Sequence, residues 1–484
     1  MRRATAATLV QALAWLGEAL SAHLASDEHN VYVLFDERVL VLGRSVDTGA
    51  LSQLPGGRGC LDLHGRAGCG RPGHLAALDG MVASPDGRGA YLVAAEQAIA
   101  AVRRDPRTGT LFPVEGRDGC VGEGSECTPL RGGLVGADNL REVAITPDGR
   151  MLLVTLGAGD RAAGIAVLRR DPATSHIKQL PGPSGCVTTP RIPGCSRLRG
   201  VSDVATVAVS PDGRSVLVGG NPGLAILARN PVGATLRQLP GAAGCLSPSG
   251  VPGCRHLRGD RGNALITFLD RGARVVLATD DSFCDDDTGE CQGTRGTVVL
   301  ARDPQTGAVF QPAGRAGCLL PSARHGCARL PRSGDFQSVV AGPDDRSAYI
   351  VTDGGVLVLT AREGLGLRRL RGPGGCLTMQ RTRGCARVPV PFVLNSLRLS
   401  RDERSAYAIS DGMILTLRRD PVTGALHVLR RRVACLTSHA VRGCIELRGP
   451  QHDTGDMLLA AGGRDAYALS TDGIAILQRA PTGG

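Results

Sequence analysis

Six acidic residues, Asp280, Asp281, Asp285, Asp286, Asp287 and Glu290, crowd the stretch TDDSFCDDDTGECQGT around Cys284 and Cys291. Carboxylates at that density are the hard oxygen ligands that calcium takes. The spacing departs from an EF-hand loop, because a glycine at its sixth position would put Cys284 at the first ligand. A calcium site and a solvated acidic loop held by a disulfide therefore both stand open. A second series of side-chain oxygens, Asp79, Asn139, Asp203, Asn263, Asp335, Asn395 and Asp456, recurs at intervals of 60 to 72 residues. Asp and Asn are suited to turning a chain into a strand, since they bond nearby backbone donors. Gathered at one mouth, the same oxygens could bind a cation or a small polar ligand.

Cysteines supply the third pattern. All sixteen have a near partner: Cys60/Cys69, Cys120/Cys127, Cys186/Cys195, Cys245/Cys254, Cys284/Cys291, Cys318/Cys327, Cys376/Cys385 and Cys435/Cys444. Structural zinc calls for four convergent ligands and closer knuckles, without which these isolated pairs read as eight disulfides. Disulfides persist in oxidising compartments, so the expected location is secreted or cell-envelope. No stretch approaches the length of an apolar membrane span, and no transmembrane segment is expected.

These residues need elements to position them, and an internal repeat supplies those. The segment VATVAVSPDGRSVLVGGNPGLAILARNPVGATLRQLPGAAGC, 204–245, returns with SPDGR at 84, TPDGR at 146, GPDDR at 342 and SRDER at 400, and in weaker form at 25, 268 and 461. Each copy holds four short apolar runs. Asp-Gly closes the first hairpin, and Asp-Pro-x-Thr-Gly, as in RDPRTG at 104, closes the third. A four-stranded antiparallel sheet with two apolar faces is not stable alone, so the copies must pack face to face around an axis. The expected fold is an all-β propeller of eight four-stranded blades, with seven the alternative, in one domain over 23–484.

Residues 1–22 carry two competing readings. Arg2 and Arg3 precede an apolar run and small residues, as in a signal peptide, while AATLVQAL at 6–13 matches the outer strand that the last copy lacks and could close the ring.

SPDGR followed by strands such as AYIVTD at 348 and by RDPxTGAL resembles the lactonase-type, YVTN-like bacterial propellers over essentially the whole chain. The resemblance implies the fold, and lactone or ester hydrolysis as a candidate activity. No GxSxG elbow, HExxH or Walker loop is present, and His256, His325 and His439 sit in cysteine loops without a nucleophile beside them.

In a propeller the cysteine loops, the acidic insertion and the Asp/Asn series share one face. Arginines after the second cysteine, Arg131, Arg199, Arg258 and Arg448, with Arg329 and Arg387 as near equivalents, would brace adjacent loops by pairing with those Asp residues. The formal charge of +11 comes almost wholly from arginines spread along the chain, and aromatics make up 3%. With no stacking platform or basic recognition helix, nucleic acid is not an expected partner. The reading that follows is an exported, disulfide-stapled scaffold binding an unidentified protein or small polar ligand through its cysteine-loop face. The alternative is a lactonase-like hydrolase with a polar or metal cluster at the channel mouth.

Overall fold

In a computed structural model the chain forms an eight-bladed β-propeller. The structure describes residues 19–478 apart from short connecting stretches, among them 132–139, 285–290, 331–335 and 447–455. The first strand begins at Ala19, so blade 1 takes in the last four residues of the 1–22 segment. The closing strand expected at 6–13 lies outside the described residues.

Blade 3 illustrates the unit. Its innermost strand Leu140–Ile145, second strand Met151–Leu156 and third strand Ala163–Arg170 form an antiparallel meander. The expected fourth strand, Ile177–Gln179, is only three residues long and covers only the end of the third, from Leu168 to Arg170. An open strand edge leaves donors and acceptors without partners. The chain covers it by jogging through a 3-10 turn, Gly182–Gly185, and pairing a cysteine strand, Cys186–Thr189, with Ala163–Ala166. After the disulfide loop a rim strand, Ser196–Arg197, runs parallel to the cysteine strand. Blades 3 to 7 each have six strands by this route, a correction to the four-stranded unit. Blades 1 and 2 have five, with single bridges Leu61 to Gly70 and Val121 to Thr128 at the rim position. Blade 8 shows three strands among the described residues.

Burial follows the seams between blades. Met151, Leu153, Ile165 and Val167 of blade 3 meet Val207, Val216, Val218 and Leu227 of blade 4, all at most 3% exposed. Each such side chain contributes roughly 1.5–3 kcal/mol. The ring closes in the same way: Val31, Val33, Leu40 and Leu42 of blade 1 pack on Tyr467, Leu469, Ile474 and Ile476 of blade 8.

A polar clasp crosses most seams at the end carrying the Asp-Gly and Asp-Pro-x-Thr-Gly turns. An arginine at or next to the end of the third strand reaches the preceding blade. Arg170 Nε donates to the Tyr91 hydroxyl at 2.5 Å and Nη1 to Asp86 Oδ2 at 2.7 Å. Arg104 makes the same pair of bonds to Tyr32 and Asp27, and Arg44 closes the ring on Tyr467 and Asp465, both at 2.6 Å. Arg229 reaches Asp148, Arg302 reaches Asp212 and Ser215, and Arg419 reaches Asp344 and Tyr349. Blade 6 ends its third strand in Ala361, which takes the place of the clasp arginine.

The third-hairpin glycine completes this junction. Gly109 has φ +80°, a region that costs side chains strain, and an added Cβ would lie 2.0–2.2 Å from the Asn30 side chain of blade 1. Gly109→Ala is expected to cost about 2–4 kcal/mol from strain and overpacking together, read as a lowered thermal midpoint. A midpoint within a degree of the parent would show that the seam yields at no cost.

The clasp also sets the pH range of stability. Burial pushes the carboxyls of Asp86, Asp148, Asp212 and Asp344 up. Hydrogen bonds from turn donors and the incoming guanidinium outweigh it and hold all four below the usual range. A depressed carboxyl contributes stability that is complete above its unfolded pKa of about 3.9 and is lost as pH falls through the folded value. Tyr32, Tyr91 and Tyr349 are pushed up to about 12 by burial, so their contribution is complete below about 10 and lost toward 12. Thermal midpoints should therefore drop below about pH 4 and above about pH 10. A midpoint that holds from pH 7 to pH 3 would contradict the ionised clasp.

Candidate functional site: the cysteine-loop face

The two ends of the ring differ in how their polar side chains are used. On the turn face the conspicuous charges are committed to the clasps. A shallow cleft of about 460 Å³ there, between blades 1 and 2, is lined by His29, Asn30, Arg44, Arg107 and Thr108. Of these, Arg44 is bonded to blade 8, and Asn30 donates to the Thr108 carbonyl and accepts from Arg104. The cleft is thus the outer end of a seam.

Seven of the expected disulfides are present on the opposite face, with Cα–Cα separations of 4.6–5.1 Å: Cys60–Cys69, Cys120–Cys127, Cys186–Cys195, Cys245–Cys254, Cys318–Cys327, Cys376–Cys385 and Cys435–Cys444. In blade 5, Phe283–Cys284 and Cys291–Gln292 form a two-stranded ribbon in which the backbones of Cys284 and Cys291 stand opposite each other. Of the acidic series, Asp281, Asp285, Asp286, Asp287 and Glu290 lie outside the described residues, and Asp280 ends a strand of blade 5. Among the described residues no three His, Cys, Asp or Glu side chains are grouped to hold a metal.

The Asp/Asn series does not share one register. The backbone N–H groups of Asp79 and Asn395 donate to Val93 and Ile409, equivalent carbonyls at the ends of second strands. In blade 4 the equivalent donor is Ala205, which bonds Gly219, and Asp203 stands two residues earlier beside Asn221. Asn263 pairs with Asp280, and Asp456 with Leu469, inside their sheets. Asn139 and Asp335 lie outside the described residues. The structure thus brings Asp79 and Asn395 to matching positions and sets Asp203, Asn263 and Asp456 at others.

Two ionic residues of the innermost strands carry no mark in the sequence. Glu142 Oε2 accepts the Val207 N–H of the next blade at 2.9 Å, and Arg398 Nε donates to the Met457 carbonyl at 3.3 Å. Both cover open edges of the neighbouring innermost strand.

The post-cysteine arginines do brace the blades, but not through Asp. Arg131 N–H donates to Gln179 Oε1 of the next blade at 2.7 Å, its guanidinium bonds the Leu180 carbonyl, and Gln179 returns a bond to the Arg131 carbonyl. Arg199 with Gln238, and Arg258 with Gln311, repeat the arrangement. The outer strand offers Gln and bare carbonyls where the expectation placed Asp. All three arginines stand four residues after the second cysteine.

Arg329 and Arg387 are not equivalents of these braces. They stand two residues after the cysteine, in rim strands, at the register that Arg197 holds in blade 3 and His256 in blade 4. All four are exposed, while the next residue is buried in blades 3, 4 and 6, Leu198, Leu257 and Val388 at 2–5% exposed. The strand alternation thus turns one basic side chain per blade to solvent at the outer edge of the disulfide loop.

The ring is similar to solved propellers. Sqt1 of Saccharomyces cerevisiae matches at 9% identity and TM-score 0.55, covering 96% of this chain and 97% of that one. The C-terminal WD40 domain of Sif2 matches at 11% and 0.52, covering 98% and 99%. The periplasmic gluconolactonase PpgL of Pseudomonas aeruginosa matches at 18% and 0.44, covering 80% and 89%. At these identities the likeness is one of fold. No protein family matches the chain, and no curated sequence matches it.

Proposed function

We propose that this protein is an extracytoplasmic binding scaffold whose cysteine-loop face carries the ligand. The observation that carries the reading is the division between the two faces. On the turn face the buried seam arginines and their aspartate partners are bonded across to neighbouring blades, whereas on the other face each disulfide fixes a loop whose rim side chains point to solvent. Rigid backbone bearing exposed polar groups lowers the entropy cost of binding. Seven disulfides support a location outside the reducing cytosol.

A pH-indicator assay on simple lactones, with and without added calcium, separates this reading from hydrolysis. The scaffold reading expects lactone opening at the rate of buffer alone. Catalysed opening that is abolished by Asp203→Ala would overturn it and place the activity at the channel mouth.

A further inference from the structure

We propose that the rim of blades 3 to 6 binds a linear acidic polysaccharide, gripped by one exposed basic side chain per blade. This rests on the scaffold reading and names the chemistry of its ligand.

Arg197, His256, Arg329 and Arg387 occupy one register in four successive blades and are all exposed. Further exposed arginines surround them, including Arg191, Arg255, Arg381 and Arg383. The segments 181–199, 240–258, 312–332 and 371–388, which span the four disulfide loops, contain no Asp or Glu. Along these four segments the charge therefore has one sign, and the acidic stretch of blade 5, 280–290, stands apart from them between its second and third strands. Blade 2 breaks the pattern with Pro129 at the position two after the cysteine and with Glu115, Asp118, Glu123 and Glu126 nearby, and blade 7 breaks it with Glu446. The basic surface is an arc with two ends.

An arc of repeated basic side chains, three guanidinium groups and one imidazole, matches a polymer with regularly repeated anions. Each guanidinium offers paired donors to a carboxylate or sulfate. Single exposed ion pairs are weak, and several on one chain act together by raising effective concentration.

Other polyanions fit less well. Single-strand binders add aromatic stacking and many duplex binders a helix laid in the major groove, whereas this chain has one Trp, 3% aromatics and no α-helix among the described residues. Lipid-surface binding adds inserted apolar groups. Of the exposed large apolar residues, Val46, Val232 and Val422 lie in third-hairpin turns on the opposite face, Ile445 lies in the rim strand of blade 7, and none lies in the rim strands of blades 3 to 6.

Polygalacturonate is the probe, with double-stranded DNA of matched charge as the competitor class. Two triple variants test it: Arg197→Glu/Arg329→Glu/Arg387→Glu on the rim, and Arg107→Glu/Arg150→Glu/Arg214→Glu, equally exposed on the turn face, with the same change in net charge. Polygalacturonate should bind the parent at low salt and release as salt rises. The rim triple should lose affinity by about tenfold or more, while the turn-face triple stays within about twofold. Equal losses in both triples would reduce the effect to net charge and overturn the proposal, as would no binding by the parent. DNA binding as tight as polygalacturonate would overturn the polysaccharide assignment. The lactone assay is read on the same parent protein, so hydrolysis would sink the scaffold reading while the two triples still report whether the rim binds polyanion.

Discussion

Reduction of the disulfides under otherwise native conditions should unfold the ring. In the chain-entropy model, joining cysteines nine residues apart stabilises by roughly 2.7 kcal/mol. Six of the seven described bridges have that separation, and Cys120–Cys127 spans seven. Together they exceed the ~5–15 kcal/mol by which folded domains outweigh their unfolded states. The bridges also hold register. The cysteine strand covers the first half of each third strand, and a loosened loop would expose that edge to water or to another chain. Removing a single bridge, Cys245→Ala/Cys254→Ala, is expected to lower stability by about 2–3 kcal/mol and leave the ring assembled. Fully reduced protein, verified by thiol count, with an unchanged melting transition would show that apolar seams alone hold the propeller.

The second large effect is expected at Arg419. Its side chain is fully buried, and its partner Asp344 is 12% exposed. Arg419→Met would leave a carboxylate facing an apolar side chain, and the Tyr349 hydroxyl would lose a donor. Breaking one side of a buried ion pair costs about 3–5 kcal/mol. The double variant Arg419→Met/Asp344→Asn should recover a large share, because the penalty comes mainly from the orphaned charge. Arg107→Met, at an exposed position, should change stability by less than about 0.5 kcal/mol. If Arg419→Met and Arg107→Met melted alike, the seam arginines would be packing groups without electrostatic weight.

Much of the fold is legible in the residues because the repeat is strong. SPDGR and RDPxTG mark two turns of the unit at fixed offsets, and alternating apolar runs between them are too short for anything but strands. The outer edge is not legible in that way. Residues such as LPGPSGC at 180 read as loop by composition, and only the shortness of Ile177–Gln179 against the eight-residue third strand shows that another strand must follow. The clasps are hidden for a different reason. Arg170 and Asp86 are 84 residues apart, and nothing local tells which arginine of RRDP points into the seam. The rim series carried a usable signal. Counting from the second cysteine, position two is Arg71, Arg197, His256, Arg329 and Arg387, whereas position four is Arg131, Arg199 and Arg258. Strand alternation separates an exposed set from a bracing set, a distinction lost when arginines are counted along the chain.

Hydrogen exchange on the oxidised protein, with and without saturating polygalacturonate, tests the central claim most directly. The account predicts slowed exchange in the disulfide loops and rim strands of blades 3 to 6, including Ser196–Arg197 and Ala386–Arg387, with the turns around Asp86, Asp148 and Asp212 unchanged. Protection centred on those turns, or none on the rim at saturation, would contradict it.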